Sequence, residues 1–256
     1  MNFNLGDFVT RKSYKHDILF KIIKIEEDIV YLKGVNVRLL ADAPITDVEI
    51  HEENIRDDFN VAISNNKLDR DGYFYLPGKV LHLDGDGEYL DRCLKFYKEN
   101  KIYAIGKKVK EENMSSQVSA LLNEYKPDIL VITGHDAYNK KAGDINNINN
   151  YKNSNNFVKT VKAARKYEKS HEKLIIISGA CQSDYEELIK AGSNFASSPK
   201  RINIHALDPA IIATTVAITE RNKELDLINL LNKTKYGPDG MGGLLGNGVM
   251  YVGFPR

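Results

Sequence analysis

The sequence predicts an α/β protein with a mostly parallel sheet over residues 73–256, preceded by a small β domain over residues 1–50. Two observations lead to this fold class. Strand-like and helix-like patterns alternate from Tyr73 onward, which is typical of a parallel sheet with helices on both faces. The first part of the chain instead holds short apolar runs separated by turns. Between them, residues 51–72 are polar and charged, which predicts a linker.

The N-terminal domain is predicted from five short strand-like runs. They are Phe8–Val9, Leu19–Ile23, Ile29–Leu32, Val37–Leu40 and Val48–Ile50. Evenly spaced short strands of this kind are typical of a small β-barrel, and we interpret this one as SH3-like.

The larger domain is predicted from alternating elements. The strands that this pattern predicts are Lys79–Leu83, Ile102–Ile105, the apolar runs before Gly134 and Gly179, and Val249–Val252. The predicted helices are Glu88–Glu99, Ser115–Tyr125, a segment from Phe157 to Arg165, Leu207–Ile218 and Leu225–Leu231. Such alternation predicts crossover connections between parallel strands.

The most informative segments are two strand endings, Pro127–His135 and Lys173–Cys181. Each is a short apolar run rich in β-branched residues, which is typical of a strand buried on both faces of a parallel sheet. Each stops at a glycine and then reaches a reactive side chain, an imidazole at His135 and a thiol at Cys181. Because chemistry in open α/β sheets collects at the carboxyl ends of the strands, we expect both side chains at the same end of the sheet.

The pairing of His135 with Cys181 predicts a cysteine nucleophile with a histidine base. Adjacent parallel strands lie about 4.8 Å apart, so we expect the ring and the sulfur within roughly 7 Å of each other. Ser183 and Glu186 have the spacing of a capping box, which predicts a helix that begins just past the thiol. The dipole of that helix would favour the thiolate form of Cys181.

His205 is the rival base. It follows the cysteine in the chain, as the histidine does in α/β-hydrolase and glutaminase sites, and the segment Gly179–Ser183 is one residue short of a nucleophile elbow. A Cys181–His205 amidase or glutaminase on a flavodoxin-like sheet therefore stays open as an alternative. Cys93 lies among apolar residues at helical spacing, which predicts a core residue.

Two carboxylates, Asp84 and Asp86, follow the first predicted strand of the larger domain and should lie at the same end of the sheet as His135. Our functional interpretation is a specificity pocket, because a buried carboxylate can bind a substrate arginine through a bidentate, charge-assisted pair. The alternative is a turn that caps the next helix. Asp136 and Asp184 are further candidates for the same substrate-binding role.

No motif indicates a metal or another cofactor, and we predict neither. The sequence contains no Cys-x-x-Cys and no His-Glu-x-x-His spacing. The glycine-rich segment Gly240–Gly248 lacks the lysine of a phosphate-binding loop.

Composition excludes several classes of function. Lysine and arginine total 36 against 35 aspartate and glutamate, a formal net charge of +1, so no basic surface predicts nucleic-acid binding. No apolar stretch approaches the roughly 20 residues that span a bilayer, and the N-terminus lacks a signal-peptide pattern. The presence of only two cysteines argues against a disulfide framework and favours a reducing compartment.

The order of histidine, then cysteine about 50 residues later after an Ala-Cys step, resembles the caspase-like clan of cysteine peptidases. A closer resemblance extends along the whole chain, to the YabG-type sporulation peptidases of spore-forming bacteria. It is carried by segments in the same order: Gly6–Tyr14, Pro77–Asp86, Leu130–Tyr138, Gly179–Ser183, Asn194–Pro199 and Asn203–Pro209.

The resemblance implies a caspase-like parallel-sheet sandwich and a peptidase that uses Cys181 and His135. Backbone amides near Gly134 and Cys181 would hold the oxyanion. The implied partners are protein substrates, the spore coat and cortex proteins, which are cut beside arginine or lysine. The implied location is the cytoplasm of the sporulating cell, with association to the spore coat. A spore-coat adaptor without enzymatic activity is the remaining alternative.

Overall fold

The computed structural model describes residues 3–51, 61, 63 and 72–255, and its contacts divide the chain into two compact units, Met1–Asn60 and Val61–Arg256. Most of the predicted linker 51–72 lies outside the described residues. No helix in the described ranges is both long and apolar enough to cross a bilayer.

The first unit is a five-stranded antiparallel sheet. Its strands are β1 (Phe8–Arg11), β2 (Phe20–Glu26), β3 (Ile29–Gly34), β4 (Leu40–Pro44) and β5 (Val48–Ile50), in the order β4-β3-β2-β1-β5. The predicted strand Val37–Leu40 is wrong, because β4 begins only at Leu40. A Cβ on Gly34 would lie 2.4 Å from the carbonyl oxygen of Val37, and the amide of Gly34 donates to the carbonyl of Leu39 at 2.7 Å, so residues 35–39 form a tight connection between β3 and β4. The SH3-like interpretation stays a prediction.

The second unit holds a six-stranded sheet and a two-stranded one. The strands are β6 (Phe74–Leu76), β7 (Val80–Asp84), β8 (Ala104–Lys108), β9 (Ile129–Thr133), β10 (Ile175–Ser178), β11 (Phe195–Ser197), β12 (Met241–Gly243) and β13 (Tyr251–Gly253). The large sheet has the order β12-β11-β10-β9-β7-β8, and β6 pairs with β13. The strands β7 to β11 are parallel and only β12 is antiparallel, so the predicted parallel sheet is confirmed in this mixed form.

Seven α-helices lie in the described part of this unit. They are α1 (Gly87–Glu99), α2 (Glu111–Tyr125), α3 (Ser154–Tyr167), α4 (Tyr185–Ala191), α5 (Asp208–Ile218), α6 (Leu227–Asn232) and α7 (Gly237–Gly240). Helices α2, α3 and α4 bury their apolar residues in one cluster with the sheet, whereas α5 packs against α1, β9 and β10. The central strands β7, β9 and β10 are buried at every residue.

The strand order places a topological switch point inside the sheet. Chain connections leave β7 in one direction to β8 and return to β9 on its other side. In open α/β sheets, ligands bind at such a point, outside the carboxyl ends of the strands. The loops after β7 and β9 are therefore where a site is expected, and we refer to this side of the sheet as its carboxyl end.

Candidate active site at the carboxyl end of the sheet

His135 and Cys181 occupy equivalent positions on neighbouring parallel strands. Strands β9 and β10 pair up to Ile132 and Ser178, and each reactive residue lies three positions beyond its member of that pair. The predicted neighbouring arrangement of the two strands is thus confirmed. Its consequence, close approach of ring and sulfur, stays a prediction.

The imidazole of His135 is fixed by a carboxylate from the next strand. Its Nε2 atom lies 2.9 Å from Oδ2 of Asp86, and both side chains are nearly buried, with 11% and 12% of their surface exposed. The ring also packs against Tyr89, at 5.6 Å between ring centroids. The other ring nitrogen, Nδ1, is buried and has no hydrogen-bond partner among the described residues.

Asp86 serves a second purpose, because it is the N-cap of α1. Its Oδ1 accepts hydrogen bonds from the backbone amides of Glu88 and Tyr89, at 2.9 and 3.3 Å. One oxygen of the carboxylate is thus committed to the helix and the other to His135. The capping alternative considered from the sequence is confirmed for this residue.

Asp84 lies deeper than Asp86. It is fully buried, and its Oδ1 accepts the amide of Asp86 at 2.9 Å. Its Oδ2 is 3.6 Å from Nε2 of His82, another fully buried residue. Substrate binding by Asp84 or Asp86 stays a prediction, but both carboxylates already have partners inside the chain.

Glu111, in the first turn of α2, fixes the backbone beside His135 and was missed from the sequence. Its Oε1 accepts the amide of His135 at 2.8 Å. A Cβ on Gly85 or on Gly134 would lie 2.2 or 2.3 Å from that same oxygen, so the two glycines leave the space that this carboxylate fills. The feature of the sequence that could have indicated this contact is the glycine that directly follows each of two neighbouring strands, Gly85 after β7 and Gly134 after β9.

Cys181 is held in a tight turn between β10 and α4. Gly179 and Gln182 on either side have positive φ values of 102° and 58°. The thiol is fully buried, and its sulfur accepts the backbone amide of Ile204 at 3.3 Å. A substrate can therefore reach the sulfur only after the residues that cover it move. Neither Cys181 nor Cys93 forms a disulfide, and Cys93 is buried in α1 as predicted.

The capping box predicted after Cys181 is wrong. The N-cap of α4 is Asp184, which accepts the amide of Glu187 at 3.3 Å. The Ser183 hydroxyl instead accepts the amide of Ala180 at 2.9 Å and donates to Asp136 at 2.8 Å. The helix does begin just past the thiol, but the serine belongs to the turn and not to the helix.

The contacts of His205 argue against it as the base. This residue is almost fully buried, and its Nδ1 accepts the amide of Leu207 at 3.2 Å. In the neutral ring the proton must then reside on Nε2, which leaves no lone pair there for taking a proton.

Two further side chains, Gln182 and Arg201, connect segments around the site. Gln182 accepts the amide of Tyr138 at 3.2 Å, which connects the loop of Cys181 to that of His135. Arg201 lies against Asp184 at 3.3 Å and also pairs with Glu186. Within the described ranges, no group of three or more histidine, cysteine or acidic residues could hold a metal ion.

The fold and the site together define an α/β protein whose sheet carries, at its carboxyl end, a carboxylate-bound histidine and a cysteine on adjacent strands. The sequence model described as YabG peptidase U57 matches residues 4–67 and 52–255 of this chain. The sporulation-specific protease YabG of Bacillus subtilis (strain 168) is 41% identical over 286 aligned residues, covering 100% of this chain and 99% of the relative. The chain belongs to the YabG peptidase family, and it is a sporulation peptidase.

Proposed function

We propose that this peptidase is a cysteine endopeptidase in which Cys181 is the nucleophile, His135 the base and Asp86 the group that orients the histidine. The observation that carries the proposal is the difference between the surroundings of the two ring nitrogens of His135. One nitrogen is bound to a carboxylate at 2.9 Å, while the other is buried with no described partner.

This arrangement selects the useful tautomer of the ring. An ionised carboxylate only accepts hydrogen bonds, so Asp86 requires the proton on Nε2. The lone pair then resides on Nδ1, which is the nitrogen able to take a proton from a thiol. A positive charge that develops on the ring during the reaction is stabilised by the same carboxylate.

The reaction then follows the general scheme of covalent catalysis. Nδ1 of His135 takes the thiol proton while the sulfur of Cys181 attacks the scissile carbonyl. The tetrahedral intermediate expels the amine, which receives that proton from His135, and leaves a thioester. Water, deprotonated by the same nitrogen, hydrolyses the thioester and restores the thiol. The thiol of Cys181 donates to the carbonyl of Ile204 at 3.7 Å, and the amide of Ile204 donates to the sulfur at 3.3 Å. That amide stabilises the thiolate once the proton has left.

We assign the oxyanion site to backbone amides near Gly134 and Cys181. Such donors stabilise the charge that develops on the carbonyl oxygen. The amide of His135, the residue after Gly134, is bound to Glu111. This amide therefore holds the loop in place.

The proposed fold is caspase-like in the second unit and SH3-like in the first. The support is the order of five parallel strands with an antiparallel sixth, and the five-stranded antiparallel sheet of the N-terminal unit. The proposed boundaries are residues 1–50 and 73–256, with a linker over 51–72.

The proposed substrates are spore coat and cortex proteins, cut beside arginine or lysine in the sporulating cell, with the enzyme associated with the spore coat. The support is the family and the sporulation role in the relative's name. Asp84 or Asp86 was predicted to bind the basic residue. Asp86 is bound to His135, and Asp84 is fully buried against the amide of Asp86 and the ring of His82, so either carboxylate would have to exchange a partner to bind the basic residue.

The test is cleavage of a fluorogenic arginyl peptide by the full chain. Wild type should release the fluorophore and Cys181→Ala should not, whereas Cys93→Ala, which removes the other buried thiol, should retain cleavage. Activity in Cys181→Ala would overturn the cysteine mechanism. Loss of activity in His205→Gln together with full activity in His135→Ala would favour the alternative base, and ammonia release from glutamine would favour an amidase.

A further inference from the structure

Asp136 is a buried carboxylate that the mechanism above does not use. It directly follows His135 and is only 2% exposed. Four donors surround it, and they are the amides of Ala137 (2.9 Å) and Asn153 (2.7 Å) and the hydroxyls of Ser154 (2.5 Å) and Ser183 (2.8 Å). A carboxylate has about four acceptor positions, so these donors fill them all.

The four donors come from three separate segments. Ala137 belongs to the loop of His135, Asn153 and Ser154 lie at the start of α3, and Ser183 lies in the turn of Cys181. One carboxylate therefore fastens the loops of both reactive residues to the same helix.

The serine hydroxyls extend this connection to the backbone on both sides of the thiol. Ser183 accepts the amide of Ala180, the residue before Cys181, at 2.9 Å. Ser154 accepts the amide of Asp184 at 2.8 Å. Since each hydroxyl already accepts an amide, its proton is directed at Asp136.

The directions of these hydrogen bonds require a group that only accepts. Asparagine would keep one oxygen for the two amides but would present an NH2 group to hydroxyls that themselves donate. At least one buried polar group would then lose its partner, which costs about 1–3 kcal/mol. The same filling of all acceptor positions leaves Asp136 no capacity to bind a substrate arginine, the role considered for it from the sequence.

We propose that Asp136 is a positioning residue that holds His135 and Cys181 in their working arrangement through Ser183 and Ser154. The inference rests on the proposed function, since it assigns to those two residues the chemistry that depends on their placement. Reactions of this kind are sensitive to position, and a displacement of about 1 Å can cost about 10² in rate.

The test compares Asp136→Asn and Ser183→Ala in the full chain, using the arginyl peptide. Both should lower kcat, Asp136→Asn by about 10² and Ser183→Ala by about 10, with KM changed less than about threefold because the contacts involve no substrate. Since both act through one connection, the double variant should lose less than the product of the two single losses.

Two matched variants control for the change of a carboxylate to an amide and for the removal of a buried hydroxyl. Asp128→Asn changes a carboxylate at the amino end of the same strand, where it accepts the amide of Lys79 at 2.9 Å. Ser193→Ala removes a fully buried hydroxyl that bonds Ser178 at 2.6 Å. Both should keep kcat within about twofold, as expected for substitutions away from the reacting groups.

The proposal is overturned if Asp136→Asn and Ser183→Ala retain kcat, if KM rises in proportion to the loss, or if the two losses multiply. Should Asp136→Asn fail to fold, Ser183→Ala decides alone, because it deletes a single oxygen atom. Failure of the proposed function is a different result, since it would appear as peptide cleavage by Cys181→Ala.

Discussion

The two ends of α3 each lie against one charged side chain, and the charges have opposite signs: Asp136 is buried and Arg165 is partly buried. Asp136 lies at the N-terminus of the helix, at the carboxyl end of the sheet. Arg165 lies in its last turn, at the opposite, amino end of the sheet. Both signs suit the helix dipole, which favours an anion at its N-terminus and a cation at its C-terminus.

Arg165 donates hydrogen bonds to several acceptors, just as Asp136 accepts hydrogen bonds from several donors. Its guanidinium donates to acceptors in the segments before β10 and β11, which are the carbonyls of Ser170 (3.2 Å), Leu174 (2.9 Å) and Gly192 (2.7 Å) and the side chain of Asn194 (2.6 Å). Burial lowers the pKa of Arg165 to about 10, but the group stays charged at neutral pH.

The two ends of the helix differ in the hydrogen-bond partners of the charged side chain. Most of the acceptors of Arg165 are main-chain oxygens, so its contacts serve to hold the strands. Two of the donors around Asp136, Ala137 and Ser183, belong to the loops that carry His135 and Cys181. On our proposal, the charged side chain is thus structural at the amino end and functional at the carboxyl end.

The largest expected difference between the ends concerns histidines. His135→Ala should lower kcat by about 10⁴, the upper range for loss of a general base. His171→Ala removes a histidine at the amino end, beside Arg165, and should leave kcat unchanged. Steady-state cleavage of the arginyl peptide measures both, and similar losses in the two variants would remove the functional distinction between the ends.

Asp86→Asn should lower kcat by about 10³, because it imposes the wrong tautomer on His135. The amides of Glu88 and Tyr89 require the oxygen of the new side chain, which leaves its NH2 group facing Nε2. The ring must then carry its proton on Nδ1 and cannot act as the base.

The matched control for that substitution is Asp226→Asn, which changes the N-cap of α6. Asp226 accepts the amide of Asn229 at 3.0 Å and has the same capping role without a histidine. Its kcat should stay at the wild-type value. Retained activity in Asp86→Asn would show that the contact with His135 is dispensable.

Arg165→Leu should lower the stability of the fold and leave kcat nearly unchanged. Removing the guanidinium leaves several partly buried oxygens without donors, which should lower the free energy of unfolding by about 3 kcal/mol. At a temperature where the variant is folded, kcat should remain within about twofold of wild type. Urea denaturation followed by circular dichroism gives the first quantity, and a large kcat loss in the folded variant would contradict the structural role.

The smallest expected effect is the pH dependence of stability that Asp136 contributes. Burial raises the pKa of this carboxyl from its ordinary value of 3.8, although four hydrogen bonds oppose the rise. The folded chain therefore holds this proton more tightly than the unfolded chain. The contribution is fully present below the ordinary pKa and is lost as pH rises through the raised pKa.

Asp136→Asn cannot titrate, so it isolates this contribution. The stability of wild type relative to the variant should decline above about pH 4, by at most about 1.4 kcal/mol per pH unit. Urea denaturation of both proteins between pH 4 and pH 7 measures the difference. Parallel stability curves would show that Asp136 has an ordinary pKa in the folded chain.

The sequence predicted the parts of this fold that depend on local apolar runs. The strands before His135 and Cys181 are correctly placed because Ile129–Thr133 and Ile175–Ser178 are continuous β-branched or aliphatic segments. Strands β6, β11 and β12 were missed. Strand β12 is Met-Gly-Gly, which has no strand propensity of its own and is ordered by pairing with β11.

The site was predictable to the level of the strand endings and not to the level of contacts. Asp86 and His135 could be assigned to one end of the sheet because each follows a parallel strand. Their hydrogen bond, and the convergence of Ser154 and Ser183 on Asp136, depend on side-chain conformations in segments far apart in sequence. Ser183 was misassigned for this reason, since a tertiary partner outweighed the local capping pattern.

The sulfur of Cys181 is covered by other residues, so the thiol is not accessible in this conformation. Because Cys181 has no exposed surface, only the fraction of molecules in which the residues around the thiol have moved would be acylated under the proposed mechanism. Apparent affinity is divided by that fraction, so a chain open one time in a hundred binds about 10²-fold more weakly than its intrinsic affinity. A substrate that makes favourable contacts with the opened form recovers this loss, and a poor substrate does not. Selectivity would then reside partly in the energy needed to uncover one atom.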